Sequence, residues 1–159
     1  MTLAQLEAVI ASLNETSQPE ACFRAVDETL RATVGHKLFT ILICHHDTKE
    51  SERFYTNMPE AYPIGGRKPI TDSPWMQRML GQGLPYIGYD ANDIADVFYD
   101  HTLIHSLGCD SVLNMPVRWR GKTIATFNLL DRAAAYDESH IPFVRAVAQL
   151  ALPAVLLIA

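Results

Sequence analysis

Hydrophobic and polar positions alternate most clearly between Leu107 and Asp131, in LGCDSVLNMPVRWRGKTIATFNLLD. β-Branched and aromatic residues flank Arg120-Gly121 on both sides, the pattern of two antiparallel strands joined by a short turn. Period-two alternation puts Leu113, Met115 and Val117 on one side of the first strand, and Val112, Asn114 and Pro116 on the other. In the second strand Ala125, Phe127 and Leu129 alternate with Ile124, Thr126 and Asn128. An odd-numbered loop such as Trp119-Arg120-Gly121 then unites Leu113, Met115, Ala125 and Phe127 on one dry face. The opposite face carries Asn114, Thr126 and Asn128 among Val112, Pro116 and Ile124. A loop one residue longer or shorter would mix the two sets, so the hydrophobic pattern selects the register. Amides set into an otherwise apolar face are expected to floor a small-molecule pocket.

The rest of the chain supplies elements to pack on that hairpin. Leu3, Leu6, Ile10 and Leu13 recur at helical spacing, predicting an amphipathic first helix. Ser17 followed by Glu20, with Pro19 between them, reads as a capping-box start for a second helix. Its inner stripe is Phe23, Val26 and Leu30, and Gly35 is placed to end it. Leu38 to Cys44 is short and apolar on both faces, as a central strand is, and Glu52 to Met58 is its looser partner nearer an edge. Pro59 to Asp72 holds Pro59, Pro63, Gly65, Gly66 and Pro69 and reads as a long irregular loop, expected to act as a lid. Ser73-Pro74 opens a short helix, and Leu84 to Tyr89 predicts a short edge strand.

Two helical segments bear on function. Treated as one helix, Asp93 to Leu107 gathers Ile94, Val97, Phe98, His101, Ile104 and His105 on one face, with Asp93, Asp96 and Asp100 toward water. His101 and His105 are therefore expected on the inward face, either as core or boundary imidazoles bonded to backbone groups or as pocket-lining contacts to a ligand. A metal between them lacks a third ligand, and the adjacent His45 and His46 point to opposite faces of a strand, so no metal site is expected. The last helix, Asp137 to Ile158, is expected to start at Ser139, carry Pro142 in its first turn, and kink or end at Pro153. Its apolar width from Phe143 to Ile158 exceeds what one sheet face needs, which predicts a homodimer through the terminal helices.

Composition narrows the class. A chain of 159 residues with 48% hydrophobic and 19% charged residues fits one globular domain spanning 1–159. The net charge of −5 and the lack of a basic stripe argue against nucleic acid as a partner. Arg118, Arg120 and Lys122 cluster at the hairpin tip, which reads as a solubilising turn. Cys22, Cys44 and Cys109 are far apart with no CxxC pair, which suits reduced thiols in a cytoplasm. No secretory leader pattern opens the chain, and the apolar run from Val147 to Ala159 is too short for a membrane span, so neither secretion nor a membrane partner is expected.

The hairpin residues Asn114-Met115-Pro116-Val117, Gly121-Lys122 and Asn128-Leu129-Leu130 resemble the C-terminal half of a GAF domain, and with the flanking helices the likeness covers nearly the whole chain. Ala125 stands where many members carry Gly. The resemblance implies an α+β fold: a central antiparallel sheet of five or six strands, order 2-1-5-4-3. The N- and C-terminal helices would cover one face, and the loop and short helices would cover a pocket on the other. It also implies a small-molecule-binding sensory or regulatory domain, with Asn114, Thr126, Asn128, His101, His105, Val112 and Ile124 as ligand-binding candidates. Two ligand classes are disfavoured. The Asn-Lys…Phe…Asp-Glu signature of cyclic-nucleotide-binding members is absent, and no cysteine between Pro59 and Gly108 is present to attach a bilin. No DNA-binding, kinase or phosphodiesterase segment is apparent, so a signal would pass to a separate protein.

The alternative is enzymatic. Cys109-Asp110 looks similar to a Cys-Asp of the GAF-type free methionine-(R)-sulfoxide reductases, whose chemistry needs a nucleophilic thiolate and a resolving thiol. No second cysteine lies near Cys109 in the sequence, so the sensory reading is preferred.

Overall fold

The alternation from Leu107 to Asp131 builds a hairpin, β5 (Ser111–Trp119) paired with β6 (Lys122–Asp131), in a computed structural model that describes residues 2–159. Leu113 faces Leu129, Met115 faces Phe127 and Val117 faces Ala125, while Asn114 faces Asn128 and Pro116 faces Thr126. The face sets are as the pattern predicts except at Ile124, and the turn differs. It has two residues, Arg120 and Gly121, at φ 51° and 80°, the left-handed pair of a tight hairpin turn. The odd residue is supplied instead by a bulge, where the pairing shifts between Val117–Ala125 and Arg118–Thr123. Ile124 occupies that extra position and packs against the helix-covered core, not the pocket floor.

Six strands form one antiparallel sheet in the order β3-β2-β1-β6-β5-β4. β1 is Leu38–His45, β2 Glu50–Thr56 and β4 Tyr86–Gly88. These and the hairpin reproduce the expected five-strand order. The sixth strand, β3 (Arg67–Pro69), lies inside the stretch expected to be irregular and pairs with β2, Ser51 opposite Lys68.

The helices α1 (Glu7–Ser12), α2 (Glu20–Thr33) and α6 (Ile141–Leu150) cover one sheet face. Phe23, Val26, Leu30, Val144 and Val147 pack there on Phe39, Ile41, Leu113, Met115 and Phe127, all fully or almost fully buried. Phe23 meets Phe127 edge-to-face at 6.2 Å. Burying each such side chain is worth about 1.5–3 kcal/mol, so this face supplies most of the cohesion. Caps differ in detail from expectation. α2 starts at Glu20 with Pro19 as N-cap and no side-chain cap, so Ser17 is not its cap. Asp137, not Ser139, caps the final helical region by accepting from the Ser139 backbone N–H. The last helix breaks at Ala151, and α7 (Leu152–Leu156) carries Pro153 in its first turn, where a missing N–H does no harm.

The other sheet face is covered by a lid: the segment after β2, α3 (Pro74–Met76) with a π-helical turn Gln77–Gly81, and the short helices α4 (Ala91–Val97) and α5 (His101–Ser106). Ser73 Oγ caps α3 by accepting from Met76 N–H at 3.2 Å. α4 and α5 are not one helix. Phe98 turns extended (φ −108°, ψ 120°) and Asp100 leaves helical geometry, so the helical phase restarts at His101. Among the described residues, no helix is long and apolar enough to cross a membrane.

Candidate functional site

The pocket face places three polar side chains in one row across three strands. Thr40 on β1 lies opposite Asn128 on β6, which lies opposite Asn114 on β5. Asn114 Nδ2 donates to Asn128 Oδ1 at 2.8 Å, and Asn128 Nδ2 makes longer contacts of 3.2–3.4 Å to Thr126 and Thr40 oxygens. Trp75, from α3 of the lid, donates Nε1–H to Asn114 Oδ1 at 3.1 Å. A buried amide left unpaired costs about 1–3 kcal/mol, which this chain of hydrogen bonds avoids. One Asn114 amide hydrogen remains outside it, since the NH2 group carries two.

Above the row is a cavity of about 50 Å³. That is room for about three or four waters or a small organic group. Thr40, Asn114, Thr126 and Asn128 form its floor with Leu42 and Leu130; Trp75, Met76, Met79, Phe98 and Ile104 form much of its roof. Phe98 packs edge-on against Trp75 at 4.8 Å. The end toward β2 and β3 is charged: Arg53, Lys68 and Asp100 line it beside Ser51 and Tyr62. Tyr62 donates its O–H to Asp100 Oδ2 at 2.6 Å, and burial, with that carboxylate, pushes the phenol pKa far up. Burial lowers the Arg53 and Lys68 pKa values, the Asp100 carboxylate opposing the shift at both.

Asn114, Thr126 and Asn128 are thus brought together as expected. The other four candidates are not. Val112 is on the pocket face but lies under α4 and α5, in a small apolar cluster with Leu38, Ile94, Ile104 and Cys109. Ile124 is on the opposite side, through its bulge. His101 and His105 are exposed and border an outer depression with Ala91, Ile94 and Asp110, His105 bonding Asp110 Oδ1 at 2.5 Å. The restart of the helix at His101 reverses the prediction: Asp100 turns inward and the histidines outward. Among the described residues, no group of three His, Cys, Asp or Glu side chains is placed to hold a metal.

Trp75, Tyr62 and Arg53 are pocket residues that the sequence pattern did not single out, whereas Lys68 belongs to the run Gly65-Gly66-Arg67-Lys68, which in sequence could cradle an anion but lacks the strand-to-helix setting of a phosphate loop. For Arg53 a signal was present. Glu50 and Glu52 alternate with Ser51 and Arg53, one acidic face against one without acids. For Trp75 and Tyr62 only the docking of the lid decides.

Cys109 is fully buried beneath α5 and absent from the cavity wall; burial, with Asp131 nearby, pushes its thiol up to about 11. Cys44 does line the cavity, but burial raises it to about 12. Neither is a thiolate near neutral pH, the form a nucleophile needs.

No protein-family model and no curated protein matches the chain. Solved structures do. The GAF domain of an Acinetobacter phosphoenolpyruvate-protein phosphotransferase superposes with a TM-score of 0.74 at 9% identity, covering 98% of this chain and 95% of that one. The free methionine-R-sulfoxide reductase of Neisseria meningitidis matches with a TM-score of 0.69 at 15% identity, over 96% of this chain and 86% of that one. The GAF domain of a two-component sensor histidine kinase from Bacillus halodurans matches with a TM-score of 0.67 at 15% identity, over 87% of this chain and 95% of that one. At such identities the likeness establishes a GAF-like fold and nothing finer.

Proposed function

We propose that this GAF-like domain is a small-molecule-binding sensory or regulatory module whose ligand occupies the cavity between the amide row and the lid. The carrying observation is a cavity floored by hydrogen-bonding side chains and roofed by a separate set of short elements. Few polar groups placed among apolar walls are how such sites select a ligand. Asn114 is a polar link between the two layers beside the amide row, because its carbonyl accepts from Trp75 of the lid; Thr123 Oγ1, donating to the Met79 carbonyl, is another link farther along β6. A ligand that meets the remaining Asn114 N–H or replaces the Trp75 bond would shift the lid, and the lid is the surface a signalling partner would read. Occupancy then becomes a change in shape, with differential affinity for the two lid positions as the driving free energy.

The enzymatic alternative receives no support from the geometry of Cys109, which is buried behind the cavity wall and whose thiol pKa is raised by burial. Thiol-dependent reduction of methionine sulfoxide is expected to be absent; turnover that disappears in Cys109→Ser would reverse that assignment.

The same reading includes cytoplasmic residence, which three unpaired thiols suit, and pairing of two copies through the terminal helices. Leu3, Ile10, Leu156 and Leu157 are exposed on those helices, apolar surface of the kind that marks interfaces. Sedimentation at tens of micromolar checks the pairing, and a monomer there removes it. The pocket itself is tested by native mass spectrometry of the purified protein and by a thermal-shift screen of small molecules of varied charge. A bound or stabilising compound whose effect is lost in Trp75→Ala supports the reading. No compound of any charge, bound or stabilising, would refute it.

A further inference from the structure

The β2–β3 ladder separates its charges by face. On the outer side Glu50, Glu52 and Arg67 pair with one another, Arg67 Nη2 reaching Glu52 Oε1 at 2.6 Å. On the pocket side the same ladder presents Ser51, Arg53 and Lys68. Among the described residues neither Arg53 nor Lys68 has a carboxylate within ion-pair distance. Arg53 spends Nη1 on the Pro63 carbonyl at 3.0 Å, but its Nε is buried without a partner. Ser51, only 5% exposed, directly faces Lys68 across the ladder, and its hydroxyl is also buried without a partner.

Cations and donors held this way are costly unless something meets them. The Tyr62 ring lies 4.9 Å from the Arg53 guanidinium carbon and the Phe98 ring 5.8 Å from Lys68 Nζ, which offsets part of that cost but accepts no N–H. The single acid in the wall, Asp100, is already engaged by the Tyr62 hydroxyl. Two cations against one acid leave this end of the cavity short of one negative charge. Apart from the polar row of Thr40, Asn114, Thr126 and Asn128, the remaining wall is mainly apolar and includes Leu42, Ile70, Met76 and Ile104.

We propose that the ligand is a short-chain organic carboxylate, its charged group held by Lys68, Arg53 Nε and Ser51 Oγ and its short apolar body under Met76 and Ile104. This deepens the pocket reading and rests on it. A single charge matches the imbalance in the wall, and a cavity of about 50 Å³ limits the body to a few carbons. Directly opposed residues on neighbouring strands have Cβ atoms about 5 Å apart, so Ser51 and Lys68 can both reach one carboxylate.

The test is calorimetric titration of the full chain with sodium propionate, neutral propanamide and inorganic phosphate, repeated on Lys68→Met. Propionate is expected to bind with a Kd of about 1 mM or tighter. Propanamide should bind at least about tenfold more weakly, and Lys68→Met should weaken propionate by about tenfold or more with an unchanged melting temperature. The proposal is overturned by equal affinity for propionate and propanamide, or by phosphate binding without propionate. It is also overturned if Lys68→Met binds propionate as the parent does, or if propionate fails to bind at about 10 mM. A neutral compound from the thermal-shift screen that binds equally to the parent and Lys68→Met would remove the carboxylate while leaving the sensory pocket standing. Silence toward compounds of every charge would remove both.

Discussion

The two faces of one sheet are built from neighbouring residues and behave as different materials. Phe39, Ile41 and Ile43 alternate along β1 with Thr40, Leu42 and Cys44, yet the first three enter a dry core and the second three line a cavity. On the helix side, α1, α2 and α6 press mainly apolar side chains into the sheet, with Asp27 meeting Tyr55 as a polar exception. On the lid side, a hydrogen-bonded row and unpaired cations sit beneath short elements of about two turns at most. Stability is concentrated on the first face, and the second is free to carry costly groups because the first holds the fold together. A fold of this kind separates cohesion from recognition by the period of a strand alone.

The comparison breaks most visibly at Phe127. Phe127→Ala on the helix face should cost about 3–5 kcal/mol in denaturant unfolding, because it opens a cavity among Phe23, Phe39 and Met115. A loss near that of a surface substitution would show that the helix face is not the cohesive one. Asn128→Ala on the lid face should cost less, about 1–3 kcal/mol, by leaving the Asn114 donor unpaired. Hydrogen exchange should then rise in α3 before it rises in α2, and equal increases in both would count against the separation of faces.

A smaller effect comes from Asp27 on α2, whose Oδ1 lies 3.0 Å from His36 Nε2, itself bonded to the Asp27 backbone carbonyl at 3.2 Å, and whose Oδ2 accepts from the Tyr55 hydroxyl at 2.6 Å. Burial pushes its carboxyl up, but the adjacent His36 ring and the Tyr55 hydroxyl outweigh burial and hold it below the usual range. A carboxyl depressed on folding stabilises the protein above its unfolded-state pKa, near 3.9. That contribution is lost as pH falls through the folded value. Asp27→Asn should lower stability at neutral pH by about 1 kcal/mol and flatten the acid limb below about pH 4, seen in melting curves against pH. An unchanged acid limb would contradict this. Smallest of all, His101→Ala with His105→Ala should alter stability by under about 0.5 kcal/mol and leave ligand affinity intact, since both rings are outside the cavity. A clear loss of affinity would return the histidines to the site.

What the sequence by itself determined is what depends on local period. Successive side chains on a strand point to opposite faces, so Leu113, Met115, Ala125 and Phe127 had to share one side, and Asn114, Thr126 and Asn128 the other, once the hairpin formed. Gly35, Gly121 and Pro153 likewise marked ends and turns through their own backbone limits. Only tertiary structure decided the rest. The two-residue turn needed a bulge, and the bulge carried Ile124 to the helix side, because pairing with β5 rather than propensity chose where the extra residue went. The pause at Phe98 reset the helical phase, so a face computed through it put Asp100 and the histidines on the wrong sides. β3 exists because β2 offered it an edge, a contact between segments that share no local signal. Lys68 and Arg53 became neighbours only through that edge, and Trp75 met Asn114, 39 positions away in sequence, only because the intervening chain closes back over the sheet. Period is a property of adjacent bonds, whereas a pocket is made by elements distant in sequence, and their docking is set by the packing of the whole.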